Sequence, residues 1–190
     1  YLTVTVFGTP DEARAVARDV GRAHAPVEGA NDTALQVWVA ATLYESAMRA
    51  RELVHPPLGG EDAEALLAEF AVVATALGVP RASWPASRAE FAEYWSSAAL
   101  DVGDEARDVA RALLHPRRGP LWIRALMPTV RLVTAGLLDP GLRAAYGLEL
   151  DERRYARLVR VLRTVYPRLP LAVRTAPMRR YLRSFRRLAR

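Results

Sequence analysis

The chain has 190 residues, of which 51% are hydrophobic, and it contains no cysteine. This length and composition allow a buried core, and the absence of cysteine excludes disulfides, thiolate metal sites and cysteine nucleophiles. All 27 basic residues are arginine. Residues 1–116 contain 9 arginines and 17 acidic residues, which gives them a net charge of −8. Residues 117–190 contain 18 arginines and 4 acidic residues, which gives them a net charge of +14. This asymmetry predicts a C-terminal face that attracts an anionic membrane, a nucleic acid or an acidic partner.

No apolar stretch reaches the roughly 18 to 20 residues that a membrane-spanning helix needs, and no signal-peptide pattern occurs. We therefore expect a cytoplasmic protein, with peripheral contact to an anionic membrane as a further expectation. Residues 1–7 resemble the end of an element that is already under way. We accordingly expect further residues upstream of Tyr1.

A helical period runs through almost the whole chain and predicts an all-α protein with a single multi-helix domain over residues 1–190. Residues 2–6 alternate like a strand, but a lone strand is not stable, so we interpret them as the end of a helix. A capping-box pattern at Thr9-Pro10-Asp11-Glu12 predicts a helix from Pro10 to His24. A second long helix, capped by Asn31 or Asp32, is predicted over residues 33–54. Its predicted inner stripe is Leu35, Val39, Thr42, Leu43 and Ala47.

The rest of the chain predicts shorter helices over residues 60–77, 87–99, 103–114, 121–137, 140–146, 151–166 and 178–188. Ser87 and Glu90 form a second capping-box pattern. Pro128 lies inside the helix over residues 121–137 and should kink it, because proline removes a backbone donor and crowds the preceding turn. A kink of this kind can open room for a ligand.

His24 ends the first long helix and faces a second long apolar helix. A haem iron needs a neutral imidazole nitrogen on a rigid backbone, with apolar walls around the macrocycle. A histidine at a helix end beside an apolar helix meets these needs. The alternative is structural, because an imidazole near a helix C-terminus can bond the last carbonyl groups of its own helix. From the residues alone the structural alternative is favoured.

Three short motifs stand out in the first quarter of the chain. They are Phe-Gly-Thr-Pro-Asp-Glu-Ala at residues 7–13, His-Ala-Pro-Val-Glu-Gly at residues 24–29 and Trp-Val-Ala-Ala-Thr-Leu-Tyr-Glu-Ser at residues 38–46. These motifs resemble the MpaB-type oxygenases, a family that includes the bacterial latex-clearing rubber oxygenases. Leu-Gly-Val-Pro at residues 77–80, Trp-Pro at residues 84–85 and the stretch over residues 135–148 are similar too.

The resemblance implies an all-helical fold with a globin-like core. It also implies a b-type haem that is bound by a histidine and whose iron activates dioxygen to cleave isoprenoid double bonds. By motif position, His24 corresponds to that histidine, and it is the one cofactor and metal ligand that the resemblance assigns. The implied function is a haem b-dependent oxygenase acting on a hydrophobic, isoprenoid-like substrate.

The chain departs from the family pattern in two places. The arginine or lysine followed by threonine, which in the family lies on the opposite side of the haem, should fall upstream of Tyr1. The resemblance therefore assigns no distal residue in this chain. Many relatives read Trp-Val-His-Ala-Thr where this chain has Ala40, so any role of that histidine is absent here.

A second shell for His24 and a substrate pocket are further expectations. Thr42, Tyr44 and Glu45 could supply hydroxyl or carboxylate groups near the imidazole, although a threonine inside a helix commonly bonds its own backbone. An apolar pocket is predicted from residues that are more often plain core, namely Trp38, Leu43, Trp122 and Met127.

The two other histidines carry no assigned role. His55 and His115 each precede a proline at a predicted helix end, so we interpret them as helix terminators in solvent. No pair of histidines has i, i+4 spacing, and the sequence contains neither a glycine-rich phosphate loop nor a Gly-x-Ser-x-Gly elbow. Hydrolase and nucleotide-binding functions are therefore disfavoured.

The competing function is a non-catalytic helical binding protein that uses its basic C-terminus. Residues 177–190 form a basic amphipathic helix, of the kind that lies on anionic lipid. Its apolar residues are Met178, Tyr181, Leu182, Phe185 and Leu188. The structural alternative is a solvated charged face that closes the helical bundle. A helix-turn-helix regulator that binds nucleic acid ranks last, because the compact turn signature is lacking and the N-terminal part is acidic.

Overall fold

The chain folds almost entirely into helices. The computed structural model describes residues 1–98 and 101–188, and within these residues it contains α-helices, two 3-10 turns and no strand. The all-α prediction is thus confirmed, while the globin-like arrangement stays a prediction. The α-helices are α1 (Leu2–Phe7), α2 (Pro10–His24), α3 (Thr33–Glu52), α4 (Gly60–Thr75), α5 (Arg88–Ser97), α6 (Asp104–Leu114), α7 (Leu121–Leu137), α8 (Pro140–Ala145), α9 (Glu152–Val165), α10 (Leu171–Arg174) and α11 (Ala176–Leu188).

The first two helices follow the sequence prediction closely. α2 runs from Pro10 to His24, and both bonds of its capping box form. Glu12 N donates to Thr9 Oγ1 at 3.2 Å, and Thr9 N donates to the Glu12 carboxylate at 2.8 Å. Residues 2–6, which alternate like a strand, lie in α1, where Thr5 N donates to the Tyr1 carbonyl at 3.0 Å.

The main differences from the predicted elements lie towards the C-terminus. α10 was not predicted, because its four residues are too few for a helical period to emerge. The helix predicted over residues 87–99 ends at Ser97. Ala99 lies outside the described residues, as do the last two residues of the basic helix predicted over residues 177–190. α7 continues through Pro128 as one helix, and the kink stays a prediction.

The chain divides into two compact units. The first comprises Tyr1–Met48, Pro56–Ser97 and the chain from Arg168 onward, and the second comprises Arg49–His55 and Ala98–Pro167. The single domain over residues 1–190 stays a prediction.

The core of the first unit is an aromatic cluster formed by α3, α4, α5 and the segment between α4 and α5. Tyr44, 4% exposed, has its ring 4.8 Å from that of Phe91 and 5.4 Å from that of Phe70, both edge to face. Trp84, 2% exposed, donates its indole N–H to the Leu67 carbonyl at 3.0 Å. Because this bond satisfies the buried indole, the ring can contribute its full apolar surface to the core.

The buried face of α3 differs from the predicted stripe. Leu35 and Val39 are each 53% exposed, and Ala47 is exposed as well. The predicted stripe is wrong because periodicity cannot distinguish an apolar face that meets protein from one that meets a cavity. The residues that α3 does bury are Gln36, Val37, Ala40, Ala41 and Tyr44.

α11 closes the first unit by returning to the N-terminal helices. Its apolar face contributes to a small cluster made of Val4, Val16, Met178, Leu182 and Phe185. The Arg186 guanidinium binds the Glu12 carboxylate through two hydrogen bonds, Nε to Oε1 at 2.6 Å and Nη2 to Oε2 at 3.1 Å. The N- and C-terminal segments are therefore joined by both apolar and ionic contacts within one unit.

The second unit contains α6 to α9 and the last turn of α3. Arg49 Nη1 donates to the Leu137 carbonyl at 2.8 Å, which ties the end of α3 to the end of α7. α7 approaches α9 closely at Gly136, where an added Cβ would overlap the ring of Tyr155. Glycine is therefore required at this contact for steric reasons.

Candidate functional site

A cavity of about 560 Å³ lies in the first unit. This volume is within the range of about 300 to 1,000 Å³ that is typical of small-molecule and cofactor sites. The walls come from the end of α2, the loop after it, the first half of α3 and the end of α4. The lining residues are Tyr1, Val20, His24, Glu28, Gly29, Ala30, Leu35, Gln36, Trp38, Val39, Ala40, Leu43, Val73 and Leu77.

Local backbone geometry places His24 at this cavity. His24 is the last residue of α2, and its carbonyl accepts a hydrogen bond from Val27 N at 2.9 Å, which begins the turn. Gly29 then adopts a φ of +74°, a conformation that favours glycine. Asp32 caps α3 by accepting from Leu35 N at 3.0 Å. The chain thus reverses between two capped helices, with His24 and the loop on the cavity wall.

The His24 side chain is half-buried, and its Nδ1 atom is fully shielded from solvent. Within the described residues this nitrogen has no hydrogen-bond partner. A buried polar atom without a partner costs about 1 to 3 kcal/mol. Because Nδ1 does not bond the last carbonyl groups of α2, the structural alternative of a self-capping imidazole loses support at this nitrogen.

One face of α3 lines the cavity with large apolar side chains. Leu35, Trp38, Val39 and Leu43 lie at i, i+3, i+4 and i+8, a spacing that puts them on one stripe of a helix. Leu35 and Val39 line the cavity, and more than half of the surface of each residue is exposed. Exposed apolar residues that line a concave site indicate an apolar ligand.

Three polar residues at the cavity were missed by the sequence reasoning. Gln36 is buried and donates its side-chain N–H to the Ala30 carbonyl at 3.2 Å, which fastens the loop to α3. Tyr1 donates its hydroxyl to the Val73 carbonyl at 2.5 Å, and burial raises the pKa of Tyr1, so the phenol stays neutral. Glu28 is an exposed wall residue. A glutamine in an otherwise apolar helix stretch was the one signal that could have identified Gln36.

The three residues predicted to supply hydroxyl or carboxylate groups near the His24 imidazole do not line the cavity. Thr42 Oγ1 donates to the Val39 carbonyl of its own helix at 2.8 Å, as expected for a threonine inside a helix. Tyr44 belongs to the aromatic core, and burial raises its pKa. Among the described residues that line the cavity, Thr42, Tyr44 and Glu45 are absent.

The predicted apolar pocket is correct in half of its members. Trp38 and Leu43 line the cavity, and Trp38 stacks on Trp95 with ring centroids 5.3 Å apart. Trp122 and Met127 belong to the second unit and are not among the described lining residues; Trp122 is 66% exposed and Met127 is buried. The sequence shows that all four residues are apolar, but it does not show in which unit each one lies.

The other two histidines lie away from the cavity lining. His115 is exposed and caps the end of α6, as predicted. His55 is half-buried rather than in solvent, with its ring 5.9 Å from that of Tyr166. In the part of the chain that the structure describes, no three His, Asp or Glu side chains are grouped so as to hold a metal ion.

A separate observation concerns membranes. Across residues 1–98 and 101–188, none of the helices combines the length and the hydropathy needed to cross a lipid bilayer.

Comparison with known proteins identifies the family. The model of the family described as "ER-bound oxygenase mpaB/B'/Rubber oxygenase, catalytic domain" matches residues 1–164. Uncharacterised proteins of Mycobacterium tuberculosis and Mycobacterium bovis are each 32% identical to the chain, over 86% of this chain and 70% of theirs. No solved structure gives a significant match. The chain belongs to the mpaB and rubber oxygenase catalytic-domain family.

Proposed function

We propose that this chain is a haem b-dependent oxygenase that acts on a hydrophobic, isoprenoid-like substrate, with His24 as the ligand of the haem iron. The oxygenase class rests on the family to which the chain belongs. The observation that carries the haem assignment is the position of His24 at the wall of an apolar cavity, with its shielded Nδ1 atom bonded to no partner among the described residues.

The residues present fit a haem. A haem ligand would need an imidazole on a rigid backbone, and His24 is held between the end of α2 and a hydrogen-bonded turn. The macrocycle would need apolar walls, which Val73 and the apolar α3 residues that line the cavity would supply. Nδ1 bonds no described protein group, so no hydrogen bond of the chain at this nitrogen fixes the orientation of the imidazole. When bound, haem iron would supply the activation of dioxygen.

The lining residues define what else the site would do. Leu35, Val39 and Leu43 would hold an apolar substrate and exclude water from it. Gln36 and Tyr1 both donate to backbone carbonyls and therefore shape the wall. With so few polar groups in the lining, the cavity would select its substrate by shape and apolarity rather than by hydrogen bonds.

The visible absorption spectrum tests this proposal directly. The protein would be produced with a haem precursor and compared with His24→Ala and with the matched control His115→Ala, since His115 is an exposed helix cap. We expect a Soret band in the parent protein and the control, and its loss in His24→Ala. Far-ultraviolet circular dichroism would establish that all three proteins are equally folded.

Two results would overturn the proposal. A parent protein that shows no Soret band would exclude haem, and a band that survives in His24→Ala would exclude His24 as the ligand. Dioxygen uptake with a polyisoprenoid substrate would then test turnover, and we expect uptake by the loaded parent and His115→Ala but not by His24→Ala.

A further inference from the structure

The C-terminal segment of the first unit carries an unusual charge. Residues 168–188 contain seven arginines and no acidic residue. Glu12 compensates the charge of Arg186, whereas four other arginines of α11 are exposed. We call these four residues, Arg179, Arg180, Arg183 and Arg187, the basic surface.

The apolar face of α11, which the sequence predicted to meet lipid, packs largely inside the first unit. Met178, Leu182 and Phe185 pack against Val4 and Val16, and Leu182 is only 6% exposed. Of the five apolar residues predicted to lie on lipid, Tyr181 and Leu188 alone are exposed. The face that would have inserted into a bilayer is used instead to close the first unit.

A second apolar element lies next to the basic surface. Leu171 and Val173 of α10 are 67% and 52% exposed. Arg179 Nη2 donates to the carbonyl of Ala172, the residue between them, at 2.7 Å. This bond joins the Arg179 guanidinium to the α10 backbone between Leu171 and Val173. Tyr181, 48% exposed on α11, adds an aromatic ring to the same segment.

We propose that the basic surface and α10 together form a docking site for an anionic lipid bilayer. The arginines would bind lipid phosphate groups, and Leu171, Val173 and Tyr181 would enter the interfacial layer. The argument for this occupant is charge complementarity combined with exposed apolar groups. A nucleic acid would match the charge but not the aliphatic side chains, since protein interfaces with DNA are polar.

Co-sedimentation of the 190-residue chain with vesicles tests the proposal. The vesicles would contain phosphatidylcholine alone or phosphatidylcholine with phosphatidylserine. We expect binding to the anionic vesicles only, and a decrease in binding at high salt. Replacing Arg179 and Arg183 by glutamine should lower the partition coefficient at least about tenfold, since each arginine near an anionic surface contributes several-fold.

Two matched controls separate docking from general effects. Arg14→Gln with Arg22→Gln removes the same charge from α2, where each arginine pairs with an aspartate, and should retain most of the binding. Leu171→Asn with Val173→Asn should weaken binding at both low and high salt. Leu113→Asn with Val109→Asn, at exposed positions of the second unit, should not.

Three outcomes would overturn the proposal. Equal binding to neutral and anionic vesicles would exclude recognition of lipid charge. Equal losses in the Arg179 and Arg183 variant and in its control would show that only net charge matters. Binding to a short DNA duplex without binding to vesicles would assign the basic surface to nucleic acid instead.

Discussion

Ala40 shows how much one residue changes the cavity. It is 3% exposed and lines the same cavity as His24. A histidine at this place would bring a second imidazole to the cavity. The methyl group of alanine adds no polar atom to the cavity and is smaller than an imidazole. At the residue scale, His24 is therefore the one imidazole among the described residues that line the cavity.

Truncation of Leu35, compared with truncation of the core residue Leu67, tests whether Leu35 belongs to a cavity wall or to the core. Leu35→Ala should cost less than about 1 kcal/mol of unfolding free energy, because Leu35 is already 53% exposed. Leu67→Ala should cost about 2 to 5 kcal/mol, because Leu67 is 1% exposed and its truncation leaves a void. Urea unfolding of both variants measures the difference. Equal costs would show that Leu35 belongs to the core.

At the element scale, helix packing depends on where small residues fall. α7 and α9 can approach because Gly136 presents no side chain to Tyr155. α3 likewise buries Ala40 and Ala41, the latter with no exposed surface, while its Leu35, Val39 and Leu43 line the cavity. Small residues thus select which helix faces can meet closely, and the bulky residues beside them remain available for a ligand.

Gly136→Ala should destabilise the second unit. The new Cβ would overlap the Tyr155 ring, and a displacement of that ring costs typically about 1 to 3 kcal/mol. Gly21→Ala is the matched control, because its Cβ would meet no atom within 4 Å inside α2. Alanine there should stabilise by about 0.5 to 1 kcal/mol. Thermal unfolding measures both, and a neutral Gly136→Ala would contradict the close packing.

At the scale of the whole molecule, the N-terminal helices and α11 lie in one unit. Glu12 and Arg186 are separated by 174 residues along the chain and are joined by two hydrogen bonds. The acidic first part of the chain and the basic last part thus meet at this pair. The Arg186 guanidinium, together with the Thr9 backbone, lowers the pKa of Glu12 from 4.5 to about 2.

This pKa difference predicts how stability depends on pH. Because the pKa of Glu12 is lower in the folded chain, the pair stabilises the fold fully above about pH 4.5, and this contribution disappears as the pH falls towards 2. Glu12→Gln should therefore lower the Tm at pH 7 and make the Tm less sensitive to pH between these values. Asp108→Asn, which alters an exposed pair with Arg111, should keep the parent pH dependence. Unfolding curves at several pH values measure the effect, and an unchanged slope in Glu12→Gln would contradict it.

Much of the candidate site could be predicted from local signals. Thr9, Pro10 and Glu12 determined where α2 begins, and Pro26 with Gly29 marked the turn that follows His24. The position of His24 at a helix end beside an apolar helix therefore followed from the residues. Its unpartnered nitrogen did not, because a hydrogen-bond partner can come from any part of the chain.

What the sequence determined by itself was the all-α class, most helix limits and the segregation of charge. These features depend on capping, proline geometry and composition, which act within a few residues or are simply counted. Only the tertiary structure decided which face of α3 is buried, that Met178, Leu182 and Phe185 are core, and that Arg186 meets Glu12. Each of these depends on contacts between segments far apart in the chain, for which no local periodicity carries information.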